Sequence, residues 1–256
     1  MPMNYALSSF LSVILVSAVS LIGIFFLFIK THTLNKITLV MVSFAVGSLL
    51  GDAFIHLMPE SFDAISNHLI VSLLFILGIL LFFSMEKILR WRHCHDPEAH
   101  DCLDHIDDHS VIALNLVGDS FHNFIDGMLI TASFIVSPSL GISTTLAVVI
   151  HEIPQEMGHF GIFLHHGLQL KKAIVLNTAS ALVSLLGVVF TLILGRTLTG
   201  FSDYLLPVTA GGFIYLASSD LIPELHRHDP KITNSLIQLG AIICGVLLMV
   251  SLLVIG

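Results

Sequence analysis

The sequence predicts an all-α membrane protein of eight transmembrane helices. Three observations carry that reading. Of 256 residues, 55% are hydrophobic and only 11% are charged, where a soluble domain has about a quarter charged. Mean hydropathy is +0.95. Apolar runs of about 20 residues, enough for a helix across a bilayer core, recur along the chain. The short alternating segments of a β-barrel do not appear.

The spans are expected at 7–29, 37–58, 69–89, 111–136, 140–164, 173–194, 204–222 and 232–255, so that 1–256 form a single transmembrane domain. The first reads as a membrane helix rather than a cleaved leader, because no Lys or Arg precedes Lys30. Eight spans put both termini on one side. Nine of the 10 basic residues follow spans one, three, five and seven: Lys30 and Lys36; Lys87, Arg90 and Arg92; Lys171 and Lys172; Arg227 and Lys231. Only Arg196 lies in an opposite connection. Cytoplasmic connections carry the basic excess, so both termini are expected outside. The expected location is an integral membrane one, most simply the bacterial inner (plasma) membrane. Nothing calls for a nucleic-acid partner.

The connection between spans three and four, 91–110, is then a His/Asp-rich flexible cytoplasmic loop. It holds His93, Cys94, His95, His100, Cys102, His105 and His109 among six acids. Such a segment has too little apolar surface to fold alone. It is either a solvated linker or a tract that captures or senses metal, since imidazole, thiolate and carboxylate together suit borderline metals. It lacks the fixed spacing of a rigid zinc site. With Cys244 the chain has three cysteines, which do not suggest a disulfide framework.

Span two ends in "DAFIHLMPE" and span seven in "SSDLIPE". The two spans run in opposite directions, so the shared pattern falls near opposite membrane faces. An inverted-topology repeat has that property, with spans 1–3 matching 6–8 around a central pair, four and five. Secondary transporters recurrently use this plan, with the substrate site near the midplane.

Spans four and five carry the chemistry. In "VGDSFHNFIDGMLI", Asp119, His122, Asn123 and Asp126 fall at offsets 0, 3, 4 and 7, one face of a helix. In "VVIHEIPQEMGHF", His151 and Gln155 are four apart, as are Glu152 and Glu156, and His159 follows. Pro154 removes a backbone donor and crowds the preceding turn, so a bend is expected there. An acid at mid-membrane costs about 3 kcal/mol, so four of them cost roughly 10 kcal/mol. Interhelical hydrogen bonds return only about 0.6–2 kcal/mol each. Polar glue is therefore too weak, and a proton relay remains an alternative. A divalent cation neutralises two carboxylates directly and accepts imidazole as well. The mixture favours zinc, iron, manganese or a similar ion over copper(I). Two adjacent sites are expected: His122, Asp126, His151 and Gln155 in one, Asn123 and Glu152 in the other, with Asp126 or Glu156 bridging.

"HNFIDG" followed by "HEIPQE" in consecutive spans resembles the ZIP (Zrt- and Irt-like) family of divalent metal transporters, in its HEIPxE-motif branch. The resemblance extends through "MGHFGIFLHHGLQLKKAIVLNTASAL", Asp52 and His56 of span two, and the metal-rich loop. It implies a transporter, not an enzyme, that takes zinc, with Fe, Mn or Cd as other candidates, into the cytoplasm. It implies the binuclear centre above within a 3+2+3 bundle, often a homodimer moving as an elevator, with lipid and divalent metal ions as the partners. Three positions depart from the family pattern. Gln155 replaces a His, which should weaken zinc relative to harder ions. His159 adds a ligand at the exit. Ser184 stands in span six where some relatives have Glu.

Competing readings are weaker. "HEIPQ" nearly matches the H-E-x-x-H of zinc proteases, but position 155 is Gln. A metal exporter also uses His-x-x-x-Asp pairs, usually with a cytosolic domain, and a non-transporting sensor would rely on the loop. For the pathway, Asp52, His56 and Glu60 are entry candidates. Asp119, His159, His165, His166 and Asp220 are exit candidates, and His226 and His228 are read as loop residues.

Overall fold

In hydrocarbon every backbone polar group must be bonded within its own segment, so the apolar runs have no alternative to helix. The computed structural model describes residues 4–19, 21, 31–91, 108–165, 167–198, 200–226 and 232–255. Those residues are helical almost throughout. Helix α1 is Tyr5–Val19. Helix α2 is Thr31–Gly51, continued by a π-helical Asp52–Leu57 and an α-helical Met58–Ala64. Helices α3, α4 and α5 are His68–Trp91, Asp108–Val136 and Pro138–His165. Helix α6 is Leu170–Ala181, resumed after a turn as Ser184–Thr197. Helix α7 is Phe201–Tyr215, a π-helical Leu216–Leu221 and Ile222–His226. Helix α8 is Ile232–Ile255.

Among the described residues, five stretches are long and apolar enough to cross a membrane: Ile37–Ala64, His68–Met85, Leu170–Gly195, Phe201–His226 and Ile232–Leu253. Helices α4 and α5 have 29 and 28 residues; their polar side chains are what dilute their hydropathy. The polarity of the whole is that of a membrane protein. Asp119, His122, Asn123, Asp126, His151, Glu152 and Glu156 are buried, while Leu73, Leu80, Leu236 and Leu247 of α3 and α8 are more than half exposed. A contiguous apolar exterior of this kind requires an apolar solvent.

Packing is closest where glycines remove side chains. Helix α2 packs on α8, α3 on α7, and α4 on the second half of α6. A Cβ at Gly47 would lie 2.0 Å from Ile242 O, and one at Gly245 would lie 2.4 Å from Phe44 O. On α3 and α7 the same exchange joins Gly78 to Val208 O and Gly211 to Phe75 O, each at 2.1 Å. Gly127 and Gly187 do likewise for α4 and α6. Without a hydrophobic force between helices in lipid, such backbone approach is what holds them together.

The two π segments have a common cause. Pro59 and Pro223 lack an N–H and crowd the preceding turn. The chain widens instead, and Met58 N–H bonds Ala53 O while Ile222 N–H bonds Ala217 O, five residues back in each case. Helix α2 therefore continues to Ala64 rather than stopping near residue 58. Pro154, by contrast, lies inside an α5 that is α-helical along its whole length. Gly47 stands twelve residues before Pro59, as Gly211 does before Pro223, so the crossing glycine, the π turn and the Pro-Glu pair recur together.

Candidate metal centre

Helices α4 and α5 are antiparallel neighbours joined at Ser137. Their polar faces meet in the core. His122 Nε2 lies 3.1 Å from His151 Nε2, with the rings edge to face at 87°. Asp126 Oδ2 lies 3.3 Å from the first nitrogen and 3.5 Å from the second. Glu152 completes the group: His122, Asp126, His151 and Glu152 each offer a ligand atom, all within 4.8 Å of one another. His151 Nδ1 donates to Ala147 O at 3.1 Å. That bond fixes the ring and leaves the Nε2 lone pair facing the acids.

Two carboxylates and two imidazoles in one buried volume suit a borderline divalent cation in number and in kind. Apart from the two histidine contacts of Asp126, neither oxygen of Asp126 or of Glu152 has a hydrogen-bond partner. Buried carboxylates left in that state are costly, and a cation satisfies both at once.

The remaining expected residues are distributed around this group. Asn123 turns its amide to Asp119, donating to the backbone oxygen at 3.1 Å and to Oδ1 at 3.2 Å. Asp119 Oδ1 also meets His159 Nδ1 at 3.1 Å. Glu156 accepts a short hydrogen bond from the Asn177 amide. Gln155 is half-buried on α5. The two-site partition drawn from spacing thus looks different in space: Glu152 stands with His122, Asp126 and His151, and Asn123 is drawn to Asp119.

Toward the other end of α5, Asp52 and His56 pair at 3.3 Å on the π turn of α2. Thr144 donates to Asp52 Oδ2 at 3.2 Å and lies 3.1 Å from Ser133 Oγ. Asp220 occupies the π turn of α7, but its side chain is outside the described residues, as are those of His109 and His165. His93, Cys94, His95, His100, Cys102, His105, His166 and His228 lie outside them altogether. His226 is exposed.

Sequence reasoning missed two participants. Ser184, the expected polar position of span six, gives its hydroxyl to Ala181 O and lies 3.2 Å from Ser17 Oγ. The α6 residue that reaches the acids is Asn177, fully buried, two turns earlier. An amide inside "IVLNTASAL" was the available signal. Thr144 had none, since a Thr is unremarkable in a membrane helix.

A family profile described as ZIP zinc transporter matches residues 6–110 and 92–253. The chain is 31% identical to the zinc transporter zipt-7.1 of Caenorhabditis briggsae, over 84% of this chain and 71% of that protein. It is 32% identical to the zinc transporter ZIP13 of Mus musculus, over 83% of this chain and 69% of that protein. It is 29% identical to the zinc transporter YKE4 of Saccharomyces cerevisiae, over 74% of this chain and 62% of that protein. These relatives are eukaryotic, so they lend no support to a bacterial membrane, and all three extend beyond the stretch the chain spans.

Proposed function

The chain belongs to the ZIP zinc transporter family, a family of transporters rather than enzymes, and on that premise we propose that it carries zinc, as substrate, across its membrane through the α4–α5 centre. The observation that supports this is the convergence of His122, Asp126, His151 and Glu152 in one buried volume. The ion is passed among these groups rather than caged, because the carboxylates on either side offer successive partners. Gln155, half-buried one turn after His151, adds a neutral oxygen in place of imidazole, which relaxes selectivity toward iron, manganese or cadmium. A second site of a binuclear arrangement would draw on Asn123 and Glu152, with Asp126 or Glu156 bridging, and the HEIPxE motif at 151–156 supports membership of that branch.

Asp52 and His56 form the entry, Asp119, His159 and Asp220 the exit, and the 91–110 loop captures metal at the cytoplasmic face. Direction into the cytoplasm follows from the basic connections. A 3+2+3 bundle of eight spans, with 1–3 and 6–8 as inverted repeats, is supported by the matched glycine crossings of α2 on α8 and of α7 on α3 and by the two π turns. A homodimer, which the resemblance implies, would appear as a two-chain species on cross-linking.

Reconstitution in proteoliposomes tests the core of this reading. Radiolabelled zinc should accumulate with the wild type and stay at background with Glu152→Ala. Equal accumulation in both would refute it.

A further inference from the structure

Among the described residues, α3 packs on α7 and α4 on the second half of α6, while α3 hardly meets α4. The gap between the two pairs is a cleft of about 580 Å³. Sites for organic molecules have volumes of ~300–1,000 Å³, far beyond what an ion needs. Apart from Ser84 and Thr209, the side chains that line the cleft are apolar. The Thr209 hydroxyl already donates to Leu205 O at 2.9 Å. A buried water takes about two to four polar partners, which these walls do not supply. An empty space would forfeit the dispersion contacts of every atom that lines it. The cleft therefore selects an apolar occupant.

Its shape is a slot along the helices. Met85, toward the Trp91 end of α3, and Val117, toward the Asp108 end of α4, line one end; Leu129 and Leu205 line the other. From Val117 to Leu129, α4 rises ~18 Å at ~1.5 Å per residue. One leaflet is ~15 Å deep, half of the hydrocarbon core of a bilayer. The mouth is lateral: Leu81, Val117 and Phe121 are more than half exposed, and Phe82 and Leu129 behind them are buried. In a membrane such a mouth opens on acyl chains.

Charge marks the end at which a headgroup would sit. After Met85 the chain carries Glu86, Lys87, Arg90 and Arg92, three bases against one acid. Lys87 is exposed, one turn beyond Ser84, and its ammonium stands over the Phe83 ring, 5.9 Å from the centroid. We propose that the slot is a specific site for one acyl chain of an anionic phospholipid, drawn from the leaflet at the basic end of α3, with its phosphate on Lys87. Basic positions at the ends of membrane helices attract such headgroups. The chain backs the helix that bears the metal centre: Phe121, Phe124 and Met128 line the slot, whereas His122 and Asp126 leave α4 on the opposite face. The site does not depend on which ion that centre carries.

The test reconstitutes the full-length protein in phosphatidylcholine vesicles with a trace of phosphatidylglycerol that bears a diazirine on one acyl chain. Light fixes the chain to its neighbours, and peptide mass spectrometry reads where. Label should fall on segments 81–85 and 117–129, about fivefold more than from the same diazirine on phosphatidylcholine, the preference one basic side chain gives at a membrane surface. Lys87→Gln should lower it to the phosphatidylcholine level, and Lys87→Arg should keep it. Val117→Trp narrows the mouth and should lower labelling from both lipids. Leu81→Trp does the same from the facing wall, so the test survives if one of the two fails to fold. Equal labelling by the two lipids, or labelling that neither Trp variant lowers, would overturn the site and leave ordinary boundary lipid. Zinc is absent throughout, so the result is independent of the transport reading.

Discussion

His122 and His151, from different helices, hold their Nε2 atoms 3.1 Å apart with Asp126 Oδ2 within 3.5 Å of both. Two ring nitrogens cannot both present lone pairs to each other at that distance without repulsion. A shared cation, or a proton on one ring, relieves it. Asp126→Ala removes the anion that both rings face. Zinc uptake should fall to background while the amount of protein in the membrane is unchanged on immunoblotting. Near-normal uptake would rule out the centre.

Gln155→His exchanges an amide for an imidazole one turn from His151. Borderline zinc gains more from nitrogen than manganese does. The Zn/Mn uptake ratio should rise about tenfold, the equivalent of roughly 1.4 kcal/mol. An unchanged ratio in competition uptake would mean that position 155 does not set selectivity.

Gly127 has no room for a methyl group. A Cβ there would lie 1.9 Å from Ser184 O, a backbone atom that cannot swing away. Gly127→Ala should cost about 1–3 kcal/mol through overpacking, seen as an earlier loss of monodisperse protein on heating in detergent. Gly240 of α8 has nothing within 4 Å. Gly240→Ala should be neutral or slightly stabilising, so the pair separates close approach from helix propensity.

Thr144→Val keeps shape and removes the hydroxyl that reaches Asp52. A buried carboxylate that loses a donor costs about 1–3 kcal/mol. Thermal stability should fall by that order, and apparent affinity for zinc should weaken if Asp52 and His56 form the entry. A Thr144→Ser variant should retain most of both.

The orientation is tested by single cysteines at each terminus of a chain whose own cysteines are replaced. A membrane-impermeant maleimide should label both in intact cells. Labelling only after permeabilisation would invert the transport direction proposed above.

Much of the centre was legible because the membrane makes polar residues conspicuous. Asp126 and Glu152 stand out in apolar runs, and the helical repeat alone puts His122 beside Asp126. Which residues converge in space was not legible. Spacing pairs residues within one helix, whereas Glu152 joins His122 through the relative rotation and depth of α4 and α5. Asn177 was missed for the same reason, since only the packing of α6 against α5 makes it a neighbour of Glu156. The π turns were missed because proline signals a disturbed helix without saying whether it kinks, stops or widens.

By itself the sequence determined that the chain is helical and membrane-embedded and which two helices concentrate its buried His, Asp and Glu residues, because hydrophobic length and 3.6-residue periodicity are local properties. Tertiary structure alone decided that Asp119 meets His159, that Asn177 meets Glu156, and that six glycines lie at helix crossings. Each of these depends on how far and at what angle separate helices approach, and no single segment encodes that.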